Sequence, residues 1–258
     1  MESCMIIAGF DLETSGLELG SARILEIGCA LFSTEINSIF YRFSSWVWDV
    51  SYPEPEPEAL KVNGLTVDGL KLFGVAPSTI FPIVKRLFEQ SDCIMAHNGA
   101  SFDLPILKFE FSQFNIEIPN KLLIDTRTDL PFPNNTTSRR LSHLAVDHDV
   151  VYGVKHRALS DIEAMFSIAS QYNLQEVLER CKSPLIRIEA HDIAYKNKHL
   201  VKNRRYNWDA EKKIWWKMVR EVDYEKEVDE SNFIVFKCPN TNETKSRAKI
   251  SKQDPPAT

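Results

Sequence analysis

Three strand-like apolar runs open the chain, and the first of them ends in acid. Residues 5–12 (M-I-I-A-G-F-D-L) read as a buried strand from their apolar run. Residues 24–33 and 38–48 read as two more, joined by short connections that favour an antiparallel meander. From there strands alternate with helices. Helices are expected at 58–63, 78–90 and 104–114, strands at 92–97 and 122–126, and further helices at 139–147, 158–172 and 174–181. Pro53, Pro55 and Pro57 alternate with glutamates and impose an extended, solvated connection. Asn98 and Gly99 signal a turn, and residues 130–138 read as a loop rich in Pro, Asn and Thr. This order of elements predicts an α/β layered domain.

Composition narrows the class. The chain has 258 residues, enough for one or two domains, and 43% apolar content, enough for a packed core and too much for a disordered chain. No uncharged apolar run approaches the ~18 residues of a membrane span. Glu2, Asp11 and Glu13 near the start argue against a secretory signal. The five cysteines are scattered and odd in number, with no C-x-x-C pair, so neither a disulfide framework nor a cysteine zinc site is expected. Reduced thiols suit an intracellular, cytoplasmic protein, without ruling out the nucleus.

Charge is divided unevenly. Residues 1–181 hold 14 Lys and Arg against 24 Asp and Glu, a net −10, whereas residues 182–258 hold 17 against 12, a net +5. The first part repels a polyanion unless cations intervene, and the second attracts one. A break near Ser183 and Pro184 separates them. Beyond it, residues 205–219 read as a β-hairpin with a polar turn near 209–212, and the last twenty or so residues read as a frayed end.

Three acidic segments stand out. Asp11 and Glu13 lie two apart on a strand, so period two puts both on one face. Beside a buried run they are costly unless neutralised, and a hard divalent cation would do so. Taken alone, such a pair is more often a solvated face. Asp103 follows a strand and turn at the start of a helix, where Asp is common as a cap. His156 precedes a helix and Asp161 lies in its first turns, where an acid suits the helix dipole.

Taken together, F-D-L-E-T-S-G (10–16), H-N-G-A-S-F-D (97–103) and H-R-A-L-S-D (156–161) resemble the three motifs of the DEDDh-type 3′→5′ exonuclease family. The resemblance covers residues 5–180. Three residues separate Asn98 from Phe102, and F-D-L-P-I-L follows; this form is similar to the branch containing three-prime repair exonucleases. The whole pattern is also similar to exonuclease X and to the proofreading subunit of DNA polymerase III. The resemblance implies a ribonuclease H-like fold, a mixed five-stranded sheet in order 3-2-1-4-5 with flanking helices, in an exonuclease domain at 1–181.

It also implies roles. Asp11 would bridge two Mg²⁺ or Mn²⁺ ions, with Glu13 and Asp161 completing the tighter site. Asp103 would act on a metal directly or through water, and His156 would be the general base. Thr14, Ser15, Gly16 and Leu17 would form the loop that meets the terminal sugar and base, with Leu17 as the wedge; a leucine returning to the core is the alternative. Asn98 would fix its turn or touch a phosphate or sugar, whereas His97 reads as structural. Arg157 would touch a phosphate or simply stand exposed. The product would be a nucleoside 5′-monophosphate from a free 3′ end, and branch resemblance favours DNA over RNA. An inactive exonuclease fold serving as a nucleic-acid-binding or scaffolding protein is the rival reading, which a missing acid or histidine would favour; all five are present.

The segment 185–238 mixes Trp208, Trp215 and Trp216 with Arg204, Arg205 and several lysines. Such a mixture suits single-strand binding, though a small core needs large aromatics too. Trp208 and one of Trp215 or Trp216 are expected inward and most cations outward. Residues 202–219 resemble small helix and W-D-x-x-x-K-x-W hairpin modules found beside nucleases and mobile-element proteins. Residues 239–258 are expected to be a flexible tail.

Overall fold

The computed structural model describes residues 4–133, 136 and 138–238. Two compact units divide the chain, Met1–Lys182 and Ser183–Thr258. The tail expected at 239–258 lies outside the described residues.

The first unit is built on β1 (Ile6–Thr14), β2 (Ile24–Ser33) and β3 (Ser38–Trp46). They are followed by α1 (Pro57–Asn63), α2 (Val67–Phe73) and α3 (Pro77–Glu89), then β4 (Cys93–Ala96), α4 (Asp103–Gln113) and β5 (Leu123–Asp125). α5 (Leu141–Asp147), α6 (Ala158–Ala169) and α7 (Leu174–Cys181) complete it. The sheet order is β3-β2-β1-β4-β5. β1–β2 and β2–β3 pair antiparallel, and β1–β4 and β4–β5 parallel. This is the ribonuclease H-like mixed sheet that the sequence implies. β1 is central, so both its faces are covered. Phe10, Phe81, Phe88 and Phe111 pack on one side with α3 and α4. Ile7, Phe32, Met95 and Phe166 pack on the other with α5, α6 and α7.

Two departures from the expected elements have local causes. α2 is not legible in the sequence: it has seven residues and a glycine within it. The Thr66 hydroxyl caps it by accepting from the Gly69 amide, and Leu70 packs with Leu25 and Leu65 in a small satellite core. α6 stops at Ala169, three residues short of expectation, and residues 171–172 turn back before Asn173 caps α7 through the Gln175 and Glu176 amides.

The second unit corrects the expected helix and hairpin module. The hairpin exists as β7 (Asn207–Asp209) and β8 (Ile214–Arg220), but it is one side of a four-stranded antiparallel sheet. β6 (Leu185–Ala190) and β9 (Val235–Lys237) complete the order β7-β8-β6-β9, with α8 (Lys198–Asn203) and α9 (Tyr224–Glu230) between strands. β6 alternates inward and outward with Ile186, Ile188 and Ala190 buried. Those residues core the unit with Val201, Tyr206 and Val235, a burden the sequence reading gave to tryptophan.

Trp208 is therefore not inward. It stands 50% exposed on the edge strand, while Trp215 packs against the core. Trp216 is half-buried with the Arg187 guanidinium 4.5 Å over its ring. Arg204, expected outward, pairs at 2.9 Å with the buried Glu227 and at 3.2 Å with Glu230, because that carboxylate needs compensation. Arg205 is half-buried at φ +64°. Among the described residues, no helix is long and apolar enough to cross a membrane.

Candidate active site

The first unit gathers its acids around the end of β1. Strand alternation puts Asp11 and Glu13 on the face covered by α6, the face that also carries Ile7 and Gly9. Glycines let α6 approach: a Cβ at Gly9 would meet the Phe166 ring at 2.3 Å, and one at Gly28 the Ala158 carbonyl carbon at 2.9 Å. Gly28 lies directly across the ladder from Asp11. Close approach delivers the first turn of α6, and with it Asp161, to the two strand acids. From the opposite side, α4 begins at Asp103, whose carboxylate accepts the Leu12 amide at 3.2 Å.

His156 lies in the loop just before α6, exposed and at φ +57°. A histidine in this left-handed conformation is uncommon, and the loop holds it there. One ligand atom each from Glu13, His156 and Asp161 falls within 4.8 Å of the others. Sequence-distant segments thus meet at one point.

Electrostatics show what the cluster lacks. Burial, then repulsion from Asp103, Asp161 and Glu13, holds the Asp11 carboxyl well above the usual range. Burial and the neighbouring acids push Glu13 up to about 8. Burial pushes Asp103 up to about 7, against the Leu12 hydrogen bond that lowers it. Asp161 is raised by burial and partly relieved by Tyr152, whose hydroxyl donates to Oδ1 at 2.7 Å. Four carboxyls packed with this little compensation, and an imidazole at their edge, fit hard divalent cations as the missing counter-charge.

The remaining candidates are placed as follows. Thr14 and Ser15 are buried and spend their hydroxyls on the turn: Thr14 donates to the Gly16 carbonyl at 2.7 Å, and Ser15 Oγ accepts the Arg23 amide at 2.8 Å. A Cβ at Gly16 would meet the Glu56 carboxylate at 2.3 Å. Leu17 is 79% exposed, so it does not return to the core. Asn98 sits at φ +67°, fixes its turn and accepts from Arg127 at 2.7 Å. His97 is bonded to Thr126 and to the Arg139 carbonyl, and burial lowers it to about 4.

Arg157 is neither free nor aimed at open solvent. It forks onto the buried Glu26 at 2.9 and 3.3 Å and lies 5.6 Å from the Trp46 ring centroid. The reason is a like-charge pair: Glu26 is the direct cross-strand partner of Glu13.

Sequence reasoning missed Glu26, Tyr152 and Asp125. Asp125 ends β5, and its carboxylate accepts the Asn98, Ala100 and Arg127 amides, which fixes the loop leading to Asp103. An acid at the end of a parallel strand was the available signal for Asp125. None marked Glu26 or Tyr152, whose partners are remote in sequence or lie across a loop.

Fold and site together define a ribonuclease H-like domain with an acidic centre on its first strand. The chain belongs to the exonuclease family (RNase_T), which it matches over residues 8–169. It is 31% identical over 158 residues to the DNA polymerase III subunit epsilon of Treponema pallidum, covering 59% of this chain and 69% of that protein. It is 27% identical over 172 residues to the PolC-type DNA polymerase III of Mycoplasma genitalium, covering 64% of this chain but 11% of that protein. In fold it resembles E. coli exonuclease I in complex with a dA16 oligonucleotide, with a TM-score of 0.60 at 15% identity. That match covers 72% of this chain and 48% of that one. The chain thus spans about half of exonuclease I and a small part of the PolC-type polymerase.

Proposed function

We propose that the chain is a 3′→5′ exonuclease that hydrolyses the terminal phosphodiester of nucleic acid, DNA in preference to RNA, and releases nucleoside 5′-monophosphates. One observation carries the reading: Glu13, His156 and Asp161 present ligand atoms within 4.8 Å of one another, and burial raises the neighbouring Asp11 and Asp103. Family membership and DNA-acting relatives support it.

Asp11, Glu13, Asp103 and Asp161 would hold two Mg²⁺ or Mn²⁺ ions. Bound ions supply Lewis-acid polarisation of the phosphate and charge neutralisation at the entering and leaving oxygens. His156, exposed beside Glu13 and Asp161, accepts the proton of the attacking water, a task an imidazole nitrogen suits. Tyr152 and the Leu12 amide each hold one carboxylate oxygen, which fixes the orientation of Asp161 and Asp103. Leu17, exposed after the loop of Thr14, Ser15 and Gly16, would lie against the terminal base.

The test is digestion of matched 5′-labelled DNA and RNA, single- and double-stranded, with Mg²⁺ or Mn²⁺. A descending ladder from linear DNA, slowed by a 3′-phosphate, is expected, and circular single strands should survive. Cleavage of the circle, or no hydrolysis of any substrate, overturns the reading.

A further inference from the structure

The second unit contains a cleft of its own. An open cleft of about 520 Å³ lies between residues 190–194 and the β7–β8 turn. Trp208 and Trp215 line it together with Lys212 and Lys213 of the turn and with His191 and Asp192. The two indoles stand 5.2 Å apart at 54°, and Trp215 is anchored in the core. Trp208 is therefore backed by a fixed neighbour while half its surface is open. Lys212 and Lys213 are exposed.

Beyond the cleft wall, the chain continues into Tyr195, 82% exposed, with the Lys198 ammonium 3.9 Å from its ring centroid. Acids nearby are partly compensated: Glu189 and Asp209 both pair with Arg187 at 3.0 and 3.3 Å. Residues 194–213 carry seven Lys and Arg against two acids, a net +5.

We propose that this cleft binds single-stranded nucleic acid, with a base stacked on Trp208 and adjacent phosphates on Lys212 and Lys213. An open aromatic face beside cations fits a polyanion whose bases are unstacked, because each base offers a π-face whatever its sequence. In a duplex those faces are already stacked on neighbouring bases. The match to the exonuclease family ends at residue 169, so this site extends beyond it. The proposal concerns binding and does not depend on hydrolysis.

The test uses the full chain in EDTA, where cleavage is suppressed, with a fluorescein-labelled dT20 strand followed by anisotropy at several salt concentrations. Trp208→Ala should weaken binding roughly tenfold, the size of one lost base–aromatic stack, and Trp208→Phe should restore most of it. Lys212→Gln with Lys213→Gln should weaken binding and flatten the slope of log K against log salt by up to about 1.4, at about 0.7 per phosphate contact. The lysine pair sits on an exposed turn, so it decides the matter if Trp208→Ala fails to fold. Wild-type affinity and slope in the lysine variant overturn the proposal. Loss of self-association on light scattering with DNA affinity unchanged would assign the face to protein contact and equally overturn it.

Discussion

Arg157 lies bidentate on Glu26, on the sheet face that carries Glu13, with Nε 2.9 Å from Oε2. Glu26 is directly opposite Glu13 in the β1–β2 ladder, so Arg157 neutralises a buried acid that would otherwise repel Glu13 from the next strand. It also precedes α6 and follows His156, so one side chain anchors the His156 loop to the sheet. Removing it leaves a buried carboxylate unpaired. Arg157→Ala should cost roughly 1–3 kcal/mol of stability and lower kcat more than it raises KM. Arg157→Lys should recover little, since the ammonium cannot fork. Thermal melts and steady-state kinetics check both. A variant with wild-type kcat would remove Arg157 from the positioning of His156.

Asp11 should show a division between stability and activity. Its carboxyl is raised by burial first and by four neighbouring acids, so ionising it opposes the metal-free fold. Asp11→Asn removes that charge at nearly constant shape. Hydrolysis should vanish, and the melting temperature in EDTA should rise. A lower melting temperature in EDTA would show that the carboxylate is compensated by something other than a cation.

The same physics gives a pH dependence. Glu13 titrates near 8 and Asp103 near 7, both raised by burial, whereas in an unfolded chain they titrate at about 4. A raised acid contributes stability that is complete below its unfolded value and is lost as pH rises through its folded value. The metal-free site therefore weakens the fold progressively between about pH 4 and 8. The increment in melting temperature on adding Mg²⁺ should widen from pH 5 to pH 8.5. Calorimetry with and without EDTA reads it, and a constant or shrinking increment would contradict the assignment.

Tyr152 holds Asp161 from outside the acidic cluster. Its hydroxyl donates at 2.7 Å, and burial together with the Asp161 carboxylate keeps the phenol protonated far above neutral pH. Groups that orient a metal's carboxylates commonly contribute about 10–100-fold in metal affinity. Tyr152→Phe should raise the Mg²⁺ concentration for half-maximal activity by roughly tenfold and change the rate at saturating metal much less. An unchanged metal titration would make Tyr152 purely structural.

His156→Ala should reduce turnover by roughly 10²–10⁴, the usual contribution of a positioned base. Because His156 occupies a left-handed conformation, alanine also strains the loop, and His156→Asn tolerates it better. Both variants should be equally slow if proton transfer is what is lost. Recovery in the asparagine variant would instead place the role in loop geometry.

The sequence determined the sheet, because period two and apolar runs act locally: β2 spans the residues its hydrophobic pattern marks, and the D-x-E pair on β1 must share a face. It also supplied the three acidic segments, since their spacing and order belong to one family. Tertiary structure alone decided what each charge faces. Arg157 finds Glu26 across 131 residues of chain, Asp103 finds the Leu12 amide across 91, and neither partner leaves a local pattern. In the second unit the same physics reversed expectation. β6 buries whatever alternation allows, so Ile186 and Ile188 took the core, joined by Tyr206 just before β7. Trp208, left on an edge strand, kept an open face, while the buried Glu227 drew Arg204 inward, since a charge removed from water must be met.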